Sequence, residues 1–150
     1  MIFYDFEVFE YDWLAVFIDV TNRKEYVIIN SPDKLKALYE VNRKNIWVGF
    51  NNRHYDQYIM KGILLAMNPK KINDWIIVDN KEGWQYSRRF SQVRMINFDV
   101  MPNPPVGLKT MEGFLGSNIK ETDVDFRIKR KLTPEEIEDL EIYVLGKKTK

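Results

Sequence analysis

The sequence contains no cysteine and only one histidine, His54. Without cysteine the chain can form neither disulfide bonds nor thiolate metal sites, and it has no cysteine nucleophile. A single histidine also excludes a zinc site built from several histidines. If this chain binds a metal ion, the expected ligands are oxygen atoms.

Long apolar runs and a strong net charge are lacking as well. No apolar stretch approaches membrane-spanning length, and the first residues do not show the basic and then apolar pattern of a secretory signal. We therefore expect a cytoplasmic protein with no membrane partner. The formal net charge of +1 gives no overall attraction to a polyanion, so nucleic-acid binding would require local basic patches or bound metal.

The residues that are present suit one globular domain. The 150 residues, of which 45% are hydrophobic and 14% aromatic, can bury a substantial core. Apolar and alternating runs predict strands over residues 1–9, 13–20 and 25–30, and the short turns between them predict an antiparallel meander. We interpret residues 1–150 as a single domain in which residues 146–150 form a frayed tail.

The rest of the chain adds helices and parallel strands. Periodicity and capping residues predict a helix over residues 32–43, a strand over 46–50, a helix from 55, a strand over 93–98, a helix over 108–115 and a terminal helix from 134. Residues 75–79 fit either a short strand or an extended loop. The predicted fold is α/β, with a mixed sheet, flanking helices and the first strand at the centre.

Acidic residues lie at two places in this pattern. Asp5 and Glu7 alternate with apolar residues in the first strand, so their side chains share a face. Asp56 lies in the first turn of the helix that follows the neighbouring strand. Because the end of a central strand and the start of such a helix meet at one place in a sheet of this kind, the three carboxylates can converge.

Converging carboxylates in apolar surroundings repel one another unless a cation lies between them. Mg²⁺ and Mn²⁺ prefer carboxylate oxygens, and we therefore predict a metal site at Asp5, Glu7 and Asp56. Simpler explanations also exist. An Asp-x-Glu triplet arises by chance in a chain with many acids, and the helix dipole favours Asp56 at a helix start by about 0.3–1 kcal/mol.

Four segments of the sequence resemble motifs of a known family: they are Y-D-F-E at residues 4–7, G-F-N-N-R-H-Y-D at 49–56, L-K-T-M-E-G-F-L-G at 108–116 and E-E-I-E-D-L-E-I-Y at 135–143. They are similar to the DEDD superfamily of 3′ to 5′ exonucleases, in particular to the N-terminal proofreading domain of bacteriophage DNA polymerases. The resemblance implies a ribonuclease H-like (DnaQ-like exonuclease) fold and a single-stranded or frayed DNA 3′ end as substrate. It also implies a longer parent protein whose polymerase domain is a partner, in the host cell cytoplasm.

The resemblance also implies a role for each residue that matches a motif. Asp5 would bridge two metal ions, Mg²⁺ or Mn²⁺, while Glu7 would hold the ion that activates water. Asp56 would support the second ion, and Tyr143 would orient the attacking water. These four residues are the predicted catalytic set.

Four residues are predicted to contact nucleic acid. The resemblance implies that Asn51 and Phe6 position the 3′-terminal nucleotide, Phe6 partly through its backbone. Arg88 and Arg89 belong to a segment in which aromatic and basic residues alternate, as they do on single-strand binding surfaces. Such segments also occur on ordinary solvated surfaces.

One position departs from the family pattern. The tyrosine class of these exonucleases has an aspartate four residues after the motif tyrosine, whereas Tyr143 is followed at that spacing by Lys147. We therefore expect low or absent activity, and we interpret the chain as the product of an interrupted or altered polymerase gene. The alternatives are a catalytically disabled domain that binds DNA ends or a polymerase partner, and a related nuclease that acts on RNA.

Overall fold

The sheet of this protein is built around its first strand. The structure is a computed structural model and describes residues 1–101 and 130–138. The strands are β1 (Ile2–Val8), β2 (Trp13–Asp19), β3 (Lys24–Ile29), β4 (Ile46–Gly49) and β5 (Ile96–Asp99). The helices are α1 (Pro32–Val41), α2 (Asp56–Leu64), α3 (Pro69–Asn73) and α4 (residues 134–138), with a π-helical turn (Asp74–Val78) and 3-10 turns (Gly83–Gln85 and Arg88–Gln92).

The five strands form one mixed sheet in the spatial order β3-β2-β1-β4-β5. β1, β2 and β3 pair antiparallel, because the turns between them are short. β4 pairs parallel with β1, and β5 pairs parallel with β4, because helical segments cross over between them. The α/β class, the antiparallel meander and the central position of β1 are thereby confirmed.

The alternation of side chains in β1 decides which face of the sheet meets the main core. The even-numbered residues from Ile2 to Phe6 are buried, whereas the odd-numbered residues from Phe3 to Glu7 are half-buried. The buried face packs with Trp47 of β4 and with side chains of α1 and α2. The polar residues of β1 therefore face away from the main core.

A second apolar cluster covers the antiparallel part of the opposite face. Leu132 packs there with Phe9, Leu14 and Val16, and Ile137 of α4 packs against the same cluster. Residues 130–138 therefore belong to the same packed unit as the sheet.

Capping residues fix the helix starts as predicted. Ser31 Oγ accepts a hydrogen bond from the Lys34 N–H (3.3 Å) at the start of α1. At α4 the Thr133 N–H donates to Glu136 Oε1 (2.9 Å) and the Glu136 N–H donates to Thr133 Oγ1 (3.2 Å). This reciprocal pair is a capping box, and both predicted starts are confirmed.

Residues 75–79 differ from the prediction. Asn68 Oδ1 accepts a hydrogen bond from the Lys70 N–H (2.9 Å), and Pro69 begins α3. The chain then continues into the π-helical turn, where the Asp79 N–H donates to the Asp74 carbonyl (2.8 Å). The prediction of a strand or extended loop over residues 75–79 is wrong, because the cap and the proline start a helical path that the next residues extend.

Several predicted features lie outside the described residues: they are the helix over residues 108–115, Tyr143, Lys147 and the tail over residues 146–150. Among the helices of residues 1–101 and 130–138, none has the length and apolar character needed to cross a bilayer.

Candidate functional site

A cavity of about 650 Å³ lies at the carboxyl end of β1. Asp5 and Glu7 line it from the half-buried face of β1, and Asp56 lines it from the first turn of α2. All three carboxylates line this one cavity, because β1 and β4 are parallel neighbours and α2 begins shortly after β4.

Asp56 is fixed to β1 by a hydrogen bond as well as by its place in a helix. The Phe6 N–H donates to Asp56 Oδ1 at 2.9 Å, and Asp56 is only 4% exposed. A helix start alone explains an acidic residue in solvent. It does not explain a buried carboxylate that is hydrogen-bonded to the neighbouring strand, so the helix dipole is an incomplete account of Asp56.

The loop that leads into Asp56 is held by Asp99, the last residue of β5. Asp99 Oδ1 accepts hydrogen bonds from the N–H groups of Asn51 (2.9 Å) and Met101 (2.8 Å), and Oδ2 accepts one from the Arg53 N–H (3.1 Å). Asn51 has a left-handed backbone conformation (φ 58°). The bond to Met101 is a turn-forming contact. The other two fix the loop at Asn51 and Arg53, and Asn51 lines the cavity.

A network of buried side-chain hydrogen bonds also holds the loop that leads into Asp56. The Asn52 amide donates to Asn97 Oδ1 (2.9 Å) and to the Phe98 carbonyl (3.0 Å), and the Tyr4 hydroxyl also donates to Asn97 Oδ1 (2.6 Å). Asn52 is fully buried. These bonds connect the loop to β1 and β5, so its backbone is held on both sides of β4.

Burial and mutual repulsion disfavour ionisation of the three acids. Burial raises the pKa of Asp5 to about 6. Burial, followed by the charge of Asp5, raises the pKa of Glu7 to about 8. Burial, followed by the charge of Asp5, raises the pKa of Asp56 well above its ordinary value. In the absence of positive charge, Glu7 is therefore mostly protonated at neutral pH, and Asp5 takes up a proton as the pH falls to about 6.

The donor set fits an oxygen-ligated divalent cation. All three donors are carboxylates, and a cation would remove the repulsion that raises their pKa values. As the side chains stand, no three acidic, histidine or cysteine residues within residues 1–101 and 130–138 are close enough together to hold a metal ion. The Phe6 N–H holds Asp56 in place, so ion binding would have to draw the side chains of Asp5 and Glu7 towards the Asp56 carboxylate.

The walls of the cavity come from residues that were not among the predicted site residues. Tyr55 and Asn73 lie on one side, where the Tyr55 hydroxyl donates to Asn73 Oδ1 (2.6 Å). Burial, together with the nearby carboxylates, raises the pKa of Tyr55, which therefore stays protonated as a donor. Ile77 and Val78, 62% and 70% exposed, form an apolar wall, and Lys70 lines the cavity as well. The Asn68 cap and Pro69 were the local signals for the helix that carries Lys70.

The predicted nucleic-acid residues are placed in different environments. Asn51 lines the cavity. Phe6 also borders it, but the residue is 3% exposed and its ring packs in the core, so only its backbone is available near the acids. Arg88 and Arg89 are exposed in the 3-10 turn that starts at Arg88 and are not among the residues that line the cavity. Tyr143, the fourth predicted catalytic residue, lies outside the described residues.

Comparison of the chain with protein-family models, with curated proteins and with solved structures finds no match.

Proposed function

We propose that this protein is the 3′ to 5′ exonuclease domain of a bacteriophage-type DNA polymerase, with a ribonuclease H-like fold and a requirement for Mg²⁺ or Mn²⁺. The observation that carries the proposal is the meeting of Asp5, Glu7 and Asp56 in one cavity. Two separate motifs supply these residues, and the sheet order that brings them together is compatible with the proposed fold.

The proposed reaction is hydrolysis of the phosphodiester bond at a DNA 3′ end. A pair of divalent cations, when bound, would supply the charge that stabilises the attacking and leaving oxygens of an in-line displacement. The chain itself contributes the carboxylates of Asp5, Glu7 and Asp56, whose ionisation is unfavourable without the positive charge of bound cations. The Phe6 N–H contributes by holding Asp56 against β1.

The proposed substrate is a single-stranded or frayed end, which leaves the terminal nucleotide free to enter the cavity. Asn51 would contact this nucleotide. Asp99 holds Asn51 in position, because its carboxylate accepts a hydrogen bond from the Asn51 N–H. The proposed partner is the polymerase domain of the same parent protein, in the host cell cytoplasm.

The decisive experiment uses a 5′-labelled single-stranded oligodeoxynucleotide and Mn²⁺. Slow stepwise shortening is expected, because Lys147 stands where the family pattern has a metal-binding aspartate. Asp5→Asn is expected to reduce this rate by about 100-fold or more, since even outer partners of metal ligands matter by about 10–100-fold. The matched control is Asp33→Asn, which changes an exposed aspartate in the first turn of α1. Equal shortening by the Asp5→Asn variant would contradict the proposal.

The alternative proposal is a catalytically disabled domain that binds DNA ends, and it is favoured by lysine at position 147. Retention of the oligonucleotide without shortening would support this alternative, whereas neither binding nor shortening would contradict both proposals. Lys147→Asp is expected to raise the rate if the terminal helix brings this position to the metal site. An RNA of the same sequence, run in parallel, tests the ribonuclease alternative.

A further inference from the structure

Among the described residues that line the cavity, Lys70 is the only cationic one. Its ammonium lies 2.9 Å from Asp74 Oδ1 and 3.8 Å from Glu10 Oε2. Helix stability does not account for a lysine here. α3 has only five residues, and lysine before aspartate is the weaker order for an ion pair one helical turn apart, so the pair adds little to the helix.

A chain of hydrogen bonds ties this ammonium to the carboxylate site. The Tyr55 hydroxyl donates to Asn73 Oδ1 (2.6 Å), and the Asn73 amide donates to Asp74 Oδ1 (3.2 Å), the oxygen that pairs with Lys70. Tyr55 directly precedes Asp56. Lys70 is therefore held at the cavity wall in a defined relation to the acids on the cavity floor.

We propose that Lys70 binds a phosphate of the substrate strand, one linkage inward from the bond that is cleaved. This inference depends on the proposed function. Where they are ionised, the acids of the cavity floor repel the phosphates of an entering strand, and cations bound there would serve only the scissile group. The phosphate one linkage further into the strand then needs a positive charge from the cavity wall, and Lys70 supplies this charge.

The ion pair of Lys70 permits this exchange. The side chains of Lys70 and Asp74 are 27% and 42% exposed, and partly exposed ion pairs contribute little to stability. Phosphate oxygens can therefore replace the Asp74 carboxylate at small cost. Lysine binds phosphate as a point charge, so the contact provides affinity for the strand and no base specificity.

The test measures binding of a fluorescently labelled single-stranded oligodeoxynucleotide to the full chain by anisotropy, with Ca²⁺ present and over a range of salt concentrations. Lys70→Met is expected to weaken binding roughly tenfold, as loss of a hydrogen bond to a charged group does. It should also reduce the slope of log Kd against log salt by about 0.7, the value for one phosphate contact on a single strand.

Two further variants control for charge and for folding. Lys70→Arg keeps the positive charge and should retain most of the affinity. Lys71→Met removes the neighbouring charge of α3, which is exposed and does not line the cavity, and should leave the affinity close to that of the wild type. Thermal midpoints of all variants identify any loss of binding that comes from unfolding.

A second oligonucleotide, with an uncharged methylphosphonate at the second linkage from the 3′ end, makes the test specific. The wild type should bind it roughly tenfold more weakly, and Lys70→Met should bind both oligonucleotides equally. The inference is overturned, while the proposed function stands, if Lys70→Met binds the first oligonucleotide as tightly as the wild type does. It is also overturned if the methylphosphonate weakens binding to Lys70→Met as much as it weakens binding to the wild type. If the wild type binds neither oligonucleotide, the proposed function fails and this inference fails with it.

Discussion

At the scale of single residues, the acids of β1 are stabilised in their protonated form. The folded-state pKa values of Asp5 and Glu7, about 6 and about 8, exceed their ordinary values of 3.8 and 4.5. Between about pH 4 and pH 8 the folded chain therefore binds more protons than the unfolded chain, and stability falls as the pH rises through this window. A divalent cation at the same carboxylates acts in the opposite direction, because it favours the ionised forms.

We therefore predict that the thermal midpoint in EDTA falls between pH 5 and pH 8.5. A drop of roughly 4 °C corresponds to about 1 kcal/mol in a domain of this size. Added Mg²⁺ should restore most of the loss at pH 8.5 and little at pH 5. The control is Asp5→Asn, which should flatten the pH profile and weaken the response to Mg²⁺. A flat profile in EDTA for the wild type would contradict the prediction.

The acidic residues of the site were predictable from the sequence, and its walls were not. Period-two alternation places Asp5 and Glu7 on one face of a strand, and the helical period that begins at Tyr55 places Asp56 in the first turn. Ile77 and Val78 reach the cavity from a π-helical turn. Over five residues, a π-helical turn shows no hydrophobic periodicity that distinguishes it from other structures. The apolar run that contains Ile77 and Val78 is equally typical of a strand.

At the scale of elements, the contact between α2 and α3 depends on a glycine. A Cβ at position 62 would collide with Cδ1 of Ile72, which is completely buried. Glycine is otherwise unfavourable within a helix, by about 1 kcal/mol relative to alanine. Close packing of the two helices therefore explains Gly62, and α3 in turn positions Lys70 and Asn73 beside the cavity.

We predict that Gly62→Ala lowers the free energy of unfolding by about 1–3 kcal/mol, as overpacking of a core does. Ile72→Val, which removes the colliding methyl group, should cost about 0.5–1.5 kcal/mol alone. In the double variant the two costs should not add, because the valine makes room for the new methyl group. Urea denaturation measures all three variants, and a Gly62→Ala variant more stable than the wild type would show that helix propensity outweighs packing here.

At the scale of the whole molecule, Asp12 joins the turn after β1 to the segment before α4. It is 3% exposed, and its carboxylate accepts hydrogen bonds from the Asn30 amide (2.6 Å), the Lys131 ammonium (2.9 Å) and the Leu132 N–H (2.7 Å). Both segments lie between the elements that local periodicity predicts. Local periodicity could not predict that they meet, because 120 positions separate Asp12 from Leu132 and no sequence period reports a contact at that distance.

Asp12 should therefore make residues 130–138 sensitive to acid. Burial alone would raise the pKa of Asp12, but the hydrogen bonds from Lys131, Leu132 and Asn30 outweigh it and lower the pKa. Because the folded-state pKa is below the unfolded one, the contribution of Asp12 to stability is present above about pH 4 and is lost as the pH falls through the lowered value.

We predict that Asp12→Asn lowers the free energy of unfolding at pH 7 by about 1–3 kcal/mol, the cost of buried hydrogen-bonding groups left without a partner. The difference from the wild type should shrink at pH 2–3, where the wild-type carboxyl group takes up a proton. Urea denaturation at both pH values measures the change, and hydrogen exchange of the Leu132 amide reports the junction itself. Asp33→Asn is again the control, since that aspartate is exposed. If the Leu132 amide is equally protected in Asp12→Asn and in the wild type, packing of Leu132 against Phe9 and Leu14 holds the segment without the carboxylate.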